Sequence, residues 1–189
     1  MGFLDSLLGG GRKLKGPAPD RLFAITTAQV ALETALDIKH KGVAGIVFQP
    51  IGSADFDGVV KDAEELVRSM GEENDTKVES ADDEFGYRWL ILRDPDFEDL
   101  VVSLNTISTE LQGGGYGDRL LACVFAFEEK GKQLYIIYNF KRGGFYPFVP
   151  AGEKSRDSER ELRLQAQIGA DLPVEAELER WFPLWDIPI

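Results

Sequence analysis

Few residues in this sequence combine the types and spacings that carry chemistry. The most conspicuous set is Gly113-Gly114-Gly115-Tyr116-Gly117-Asp118-Arg119, a loop of the kind that cradles phosphate. A phosphate loop leaves a strand and opens a helix, so that backbone amides and the positive end of the helix dipole face the anion. These glycines instead follow a helical pattern and precede a strand pattern, and no Gly-Lys-Ser/Thr accompanies them. They read as a helix end and a tight turn. Asp94, Asp96, Glu98 and Asp99 around Pro95 are rich enough in oxygen for a hard cation, but the glycine and the bidentate acid of an EF-hand loop are missing. Helix capping and dipole pairing account for Asp94 and Asp96. The single Cys123 and the single His40 form no spaced pair, and neither a nucleophile elbow nor a His-Glu-x-x-His motif occurs. No catalytic residue, metal ligand set or cofactor is expected.

A second kind of chemistry is recognition. Phe140-Lys141-Arg142-Gly143-Gly144-Phe145-Tyr146-Pro147-Phe148-Val149-Pro150 brings two cations, two glycines and four aromatics into one Pro-bounded stretch. Arg142 can pair carboxylates, and rings such as Tyr146 and Phe148 can anchor a partner, with Lys141 beside them. The plainer reading is ordinary loop packing. Trp181, Phe182 and Trp185 pose the same choice between locking a tail onto the core and standing exposed as binding anchors. At the start of the chain, Phe3, Leu4, Leu7 and Leu8 form a short apolar tip that meets a lipid surface or a partner if it is not simply a frayed terminus. Residues 9–19, with four glycines, two prolines and three bases, read as the linker that tethers it.

The elements that position these residues follow from periodicity. Thr26 and Gln29 have capping-box spacing for a helix ending near Asp37, with Lys39-His40-Lys41 on its last carbonyls and Gly42 as its stop. Val43 to Phe48 reads as a short strand. Ser53 or Asp55 caps a helix carrying Phe56, Val59, Val60, Ala63, Leu66, Val67 and Met70, closed by Gly71. Strands at 77–81 and 87–92 flank an acidic turn. Asp94 caps the next helix, with Pro95 at its first position and a stripe of Phe97, Leu100, Val101, Leu104, Ile107, Ser108 and Leu111. Strands at 120–128 and 133–140 form a hairpin, because four polar residues are too few for a crossover. The first of them is apolar on both faces and must be central, which makes Cys123 a core residue. A helix near 156–167 follows, and Leu172-Pro173-Val174-Glu175 announces a last short one. Helices and strands mix without a regular βαβ rhythm. The expected fold is a single α+β domain over residues 20–189, mainly antiparallel, with a central hairpin and helices packed on the sheet, preceded by a flexible segment over 1–19.

Charge narrows the partners. The 189 residues carry a formal net charge of −12, which argues against nucleic acid because an acidic surface repels phosphate backbones. That excess is regional. Residues 42–100 hold sixteen acids against five bases, net −11, whereas the first 41 residues net +2. An acidic body is repelled by anionic lipid, so membrane contact is expected only at roughly the first 15 residues. One cysteine allows no internal disulfide and fits a reducing, cytoplasmic setting, and no stretch approaches the roughly 20 apolar residues of a membrane span.

Several segments together resemble one family. Met1-Gly2-Phe3-Leu4-Asp5, Leu22-Phe23-Ala24, Gly86-Tyr87-Arg88-Trp89-Leu90, Lys141-Arg142-Gly143-Gly144-Phe145-Tyr146-Pro147-Phe148, and Asp171-Leu172-Pro173-Val174-Glu175 through Arg180-Trp181-Phe182-Pro183-Leu184-Trp185-Asp186 make the chain similar to PspAB, the PspA-associated proteins of actinobacteria and archaea. The last two segments are the specific ones. Gly144 departs from the threonine expected there. The resemblance implies a cytoplasmic, non-catalytic accessory or adaptor protein of the phage-shock (envelope stress) system. Its implied partner is a PspA-like coiled-coil protein at the inner membrane face. The recognition residues Lys141, Arg142, Tyr146, Phe148, Trp181 and Trp185 are the ones expected to meet it, and Phe3, Leu4, Leu7 and Leu8 the ones expected to touch the membrane peripherally. The competing reading is a small-ligand binder or an enzyme of unknown reaction, using a cleft near loops 113–119 and 141–150.

Overall fold

A strand that is apolar on both faces dictates the architecture. The computed structural model describes residues 20–189, and in it β4 (Leu120–Glu129) lies near the middle of a six-stranded sheet. The order is β2 (Lys77–Asp82), β3 (Arg88–Arg93), β1 (Ile38–Phe48), β4, β5 (Lys132–Asn139) and β6 (Gly144–Phe148), with every neighbouring pair antiparallel. Successive side chains on a strand point to opposite faces, so each strand feeds two cores. Cys123, Phe125 and Phe127 point toward the helices, and Ala122, Val124 and Ala126 point the other way. The expected α+β fold with a central hairpin is the one observed. That hairpin turns on Lys130 and Gly131 alone, at φ 50 and 78, the left-handed pair that matches strand twist in a two-residue loop.

Three helices cover the first face: α1 (Asp20–Leu36), α2 (Ala54–Asn74) and α3 (Phe97–Gly113). Ser53 caps α2 by accepting the Phe56 amide, and Phe56, Val60, Ala63 and Val67 form its buried stripe while Leu66 stays exposed. The full apolar stripe of α3 from Phe97 to Leu111 is buried. A fourth helix, α4 (Ser158–Ile168), is capped by Asp157 and buries Leu164 and Ile168.

Five local expectations are corrected. Helix α1 begins at Asp20 rather than Thr26, because Leu22 and Ile25 are core residues that extend it; Thr26 lies inside the helix and donates its hydroxyl to the Phe23 carbonyl. Lys39, His40 and Lys41 belong to β1, where Lys39 and His40 pair with the end of β4, so Asp37 at φ 53 closes the helix and Lys41 and Gly42, the latter at φ 65, lie in a bulge of the strand. Asp94 is not the cap of α3. Asp96 caps it, accepting from the Glu98 and Asp99 amides, while Asp94 is buried and accepts the Thr76 hydroxyl and the Asp96 amide. Residues 172–175 form no helix; Val174 makes a parallel bridge to Phe145 on the edge strand β6.

The fifth concerns Gly71, which lies within α2 rather than after it, the helix closing instead at Asp75 in the left-handed region. A Cβ on Gly71 would stand 2.5 Å from the Thr76 carbonyl oxygen, a backbone atom that cannot step aside without moving β2. Alanine is favoured over glycine in a helix by about 1 kcal/mol, but forcing a methyl into occupied space costs about 1–3 kcal/mol. Gly71→Ala should therefore destabilise the protein despite its better propensity, by about 1 kcal/mol in urea titration. A stabilised variant would show that the turn at 71–76 yields easily.

Candidate partner-binding surface

Four of the six residues singled out by the sequence, Tyr146, Phe148, Trp181 and Trp185, come together on the second face of the sheet. There Val43, Val47, Trp89, Ile91, Val124, Tyr135, Ile137, Tyr146 and Phe148 form a second apolar core. Residues 174–189 cross this face as an irregular strap that contributes Trp181 fully and Val174, Leu184, Trp185, Ile187 and Ile189 in part.

The strap is anchored at its start by backbone pairing. The Phe145 amide donates to the Pro173 carbonyl at 2.9 Å, and the Glu175 amide donates to the Phe145 carbonyl at 2.8 Å. The chain runs close here: a Cβ on Gly144 would stand 3.3 Å from the Pro173 carbonyl oxygen, so the glycine at this position leaves room for the strap. Beyond that bridge the attachment is mostly by side chains. Trp181 stacks on Tyr146, with ring centroids 6.4 Å apart and 19° between planes, and its indole donates to the Glu175 carbonyl at 2.9 Å. Trp185 meets Phe148 edge to face at 5.4 Å. The Tyr146 hydroxyl donates to the Phe182 carbonyl, and the Tyr135 hydroxyl to that of Ile189. Burial pushes both phenols above the usual tyrosine range, which keeps them as neutral donors.

A second anchor escaped sequence reasoning. Glu161 on α4 is 2% exposed; it accepts both the Val149 amide and the Arg156 guanidinium, and Arg156 in turn donates to the Trp181 carbonyl at 2.6 Å. Arg156 also lies over the Phe148 ring at 5.3 Å. Only the five-residue spacing between Arg156 and Glu161 hinted at a pair, and nothing in the sequence pointed to Trp181 as their third member.

The expected recognition stretch thus divides. Residues 144–148 are the strand β6, and Phe145, Tyr146 and Phe148 are buried in the two cores, as are Phe140 and Trp181. Lys141 and Arg142 remain on the surface in the β5–β6 turn, where Arg142 reaches Glu175 of the strap at 3.2 Å. The strap leaves Leu178 47% and Phe182 55% exposed, and Trp185 half-buried. The surface reading therefore gains Phe182 and Leu178, on the same strap whose Glu175 Arg142 holds.

The other chemical candidates fall where capping and packing put them. Gly113 ends α3, Gly115 has φ 87, and Tyr116 packs edge-on against Phe56 while its hydroxyl bonds Asp55. Cys123 is fully buried, and burial pushes its thiol well up, away from the reactive thiolate. Among the described residues, no group of His, Cys, Asp and Glu is arranged to hold a metal ion, and no helix is long and apolar enough to cross a membrane. The tip residues Phe3, Leu4, Leu7 and Leu8 lie outside the described residues. A groove of about 860 Å³ opens between α1 and the start of α3, and neither the 113–119 nor the 141–150 loop lines it.

Comparison with curated proteins and comparison with solved structures each gave no match. Comparison with protein families matches the entire chain, residues 1–189, to PspA associated protein B, whose name states an association with PspA and fits an accessory role in the phage-shock system. The chain belongs to that family, PspAB.

Proposed function

We propose that this protein is a non-catalytic adaptor that binds a PspA-like coiled-coil partner at the cytoplasmic face of the membrane, through the aromatic strap and the adjoining β5–β6 turn. The observation that carries this reading is a strap that leaves Phe182 and Leu178 exposed and Trp185 half-buried, and whose Glu175 is held by Arg142 of the β5–β6 turn. Large rings and arginine are the side chains that dominate binding energies at protein interfaces. A helical partner with acidic positions beside an apolar stripe suits both halves of this surface. Tyr146, Phe148 and Trp181 act from beneath by holding the strap in place. Lipid contact belongs to Phe3, Leu4, Leu7 and Leu8 when that tip is released from the body, since the body is acidic and repelled by anionic headgroups.

Pull-down of the purified PspA-like partner tests the surface. Arg142→Glu and Trp185→Ala should each weaken binding about tenfold or more, with the circular dichroism of both variants unchanged. Undiminished binding by both variants would remove this surface from the interaction.

A further inference from the structure

We propose that the apolar tip of this chain, Phe3, Leu4, Leu7 and Leu8, docks into the groove between α1 and the start of α3, so that the chain covers a cleft of its own. The groove has a volume of about 860 Å³ and includes Val30, Ala31 and Phe97 in its lining, with Val30 left 55% exposed on a helix whose other face is in the core. An aliphatic side chain that open inside a concave surface is incompletely covered by its own fold. The carboxylates of the lining are Asp96, Glu98 and Asp171, and among the described residues no Lys or Arg joins them.

Residues 1–19 have the complementary make-up. Phe3, Leu4, Leu7 and Leu8 come first, and Arg12, Lys13 and Lys15 follow with Leu14 among them, against the single acid Asp5. The tip therefore fits the apolar part of the lining, Val30, Ala31, Pro95 and Phe97, and the three cations fit the carboxylates that share it. Reach is ample. The described chain starts at Asp20, the first residue of α1, and the lining residues Thr26 to Thr34 lie about 9–21 Å along the helix axis from it. Residues 9–19 span up to about 36 Å when extended. Tethering at this length gives an effective concentration on the order of millimolar, so even a contact of millimolar affinity holds the tip in the groove about half the time.

This docking is independent of the strap surface, and the partner pull-down does not read it. Amide resonances and hydrogen exchange of the full chain test it, comparing the unaltered protein with Phe3→Glu/Leu7→Glu and with Val30→Glu. The tip variant should shift amides at 27–31 and 96–98 and speed exchange at Thr27–Ala31 about twofold or more, and Val30→Glu should shift the resonances of residues 3–8. Changes confined to residues 1–19 in the tip variant and to the neighbourhood of Val30 in the groove variant would overturn the proposal. Groove shifts that fade on twentyfold dilution would assign the groove to a second copy, and tip resonances that respond only to anionic vesicles would assign the tip to lipid. Either result overturns docking within the chain.

Discussion

Replacing Trp181 by alanine should lower the unfolding free energy by about 3–5 kcal/mol, the usual cost of truncating a buried tryptophan. With a urea dependence of roughly 2 kcal/mol per molar, the midpoint falls by about 2 M. The reasons are additive in kind. The indole is 5% exposed, stacks on Tyr146, and supplies the hydrogen bond that fixes the Glu175 carbonyl. Its own carbonyl is the acceptor that ties the strap to Arg156. With the ring gone, the strap keeps its bridge at Val174, its contact at Trp185 and the backbone carbonyls held by Arg156 and Tyr146, but the span between them has no buried side chain. Limited proteolysis should accordingly cut within 176–189 before the sheet unfolds. A midpoint shift below about 0.5 M would show that the strap does not take part in the cooperative unit.

Glu161→Ala should cost a similar 3–5 kcal/mol by a different route. The carboxylate is buried and accepts from both a backbone amide and a guanidinium, so its removal strands the Val149 amide and leaves Arg156 without its counter-ion. One Arg156 nitrogen, Nη2, is already buried without a hydrogen-bond partner, so the guanidinium has little slack to absorb a further loss. Glu161→Gln keeps an acceptor in place and should lose roughly half as much. Because Arg156 links Glu161 to the Trp181 carbonyl, the two alanine variants share one network, and the double variant should be less damaged than the sum of the singles. Strict additivity in urea titration would mean that the link through Arg156 carries no coupling.

The framework was legible where one element decides its own structure. The two-sided apolar run of β4, the polar connection at Glu129-Lys130-Gly131-Lys132 and the seven-residue stripe of α3 each sufficed to place a strand, a hairpin and a helix. Failures came where a distant residue decides. Asp94 and Asp96 flank Pro95 and both suit a cap; only Thr76, eighteen residues away, takes Asp94 into the interior. Leu172-Pro173-Val174-Glu175 has the composition of a helix start, but β6 is an edge strand whose Phe145 amide and carbonyl need partners, and a helix would not supply them. Lys39-His40-Lys41 suits the end of a helix equally well until β4 offers backbone pairing. At the candidate surface, sequence singled out the segments 140–150 and 181–185 and could not tell ring from ring. Tyr146 and Phe148 support the surface from below, whereas Phe182 stands on it, and that distinction depends on how the strap crosses the sheet.

The strap also sets an order of events during synthesis. Residues 174–189 follow all six strands in the chain, so the sheet and its three covering helices can emerge and assemble while the second face, with Trp89, Ile137, Tyr146 and Phe148, is still bare. Domains form as units while translation proceeds at roughly 5–20 residues per second, which leaves this apolar surface open for on the order of a second, plus the time the strap needs to clear the ribosome. A nascent chain of this protein is thus stickiest just before residues 174–189 emerge.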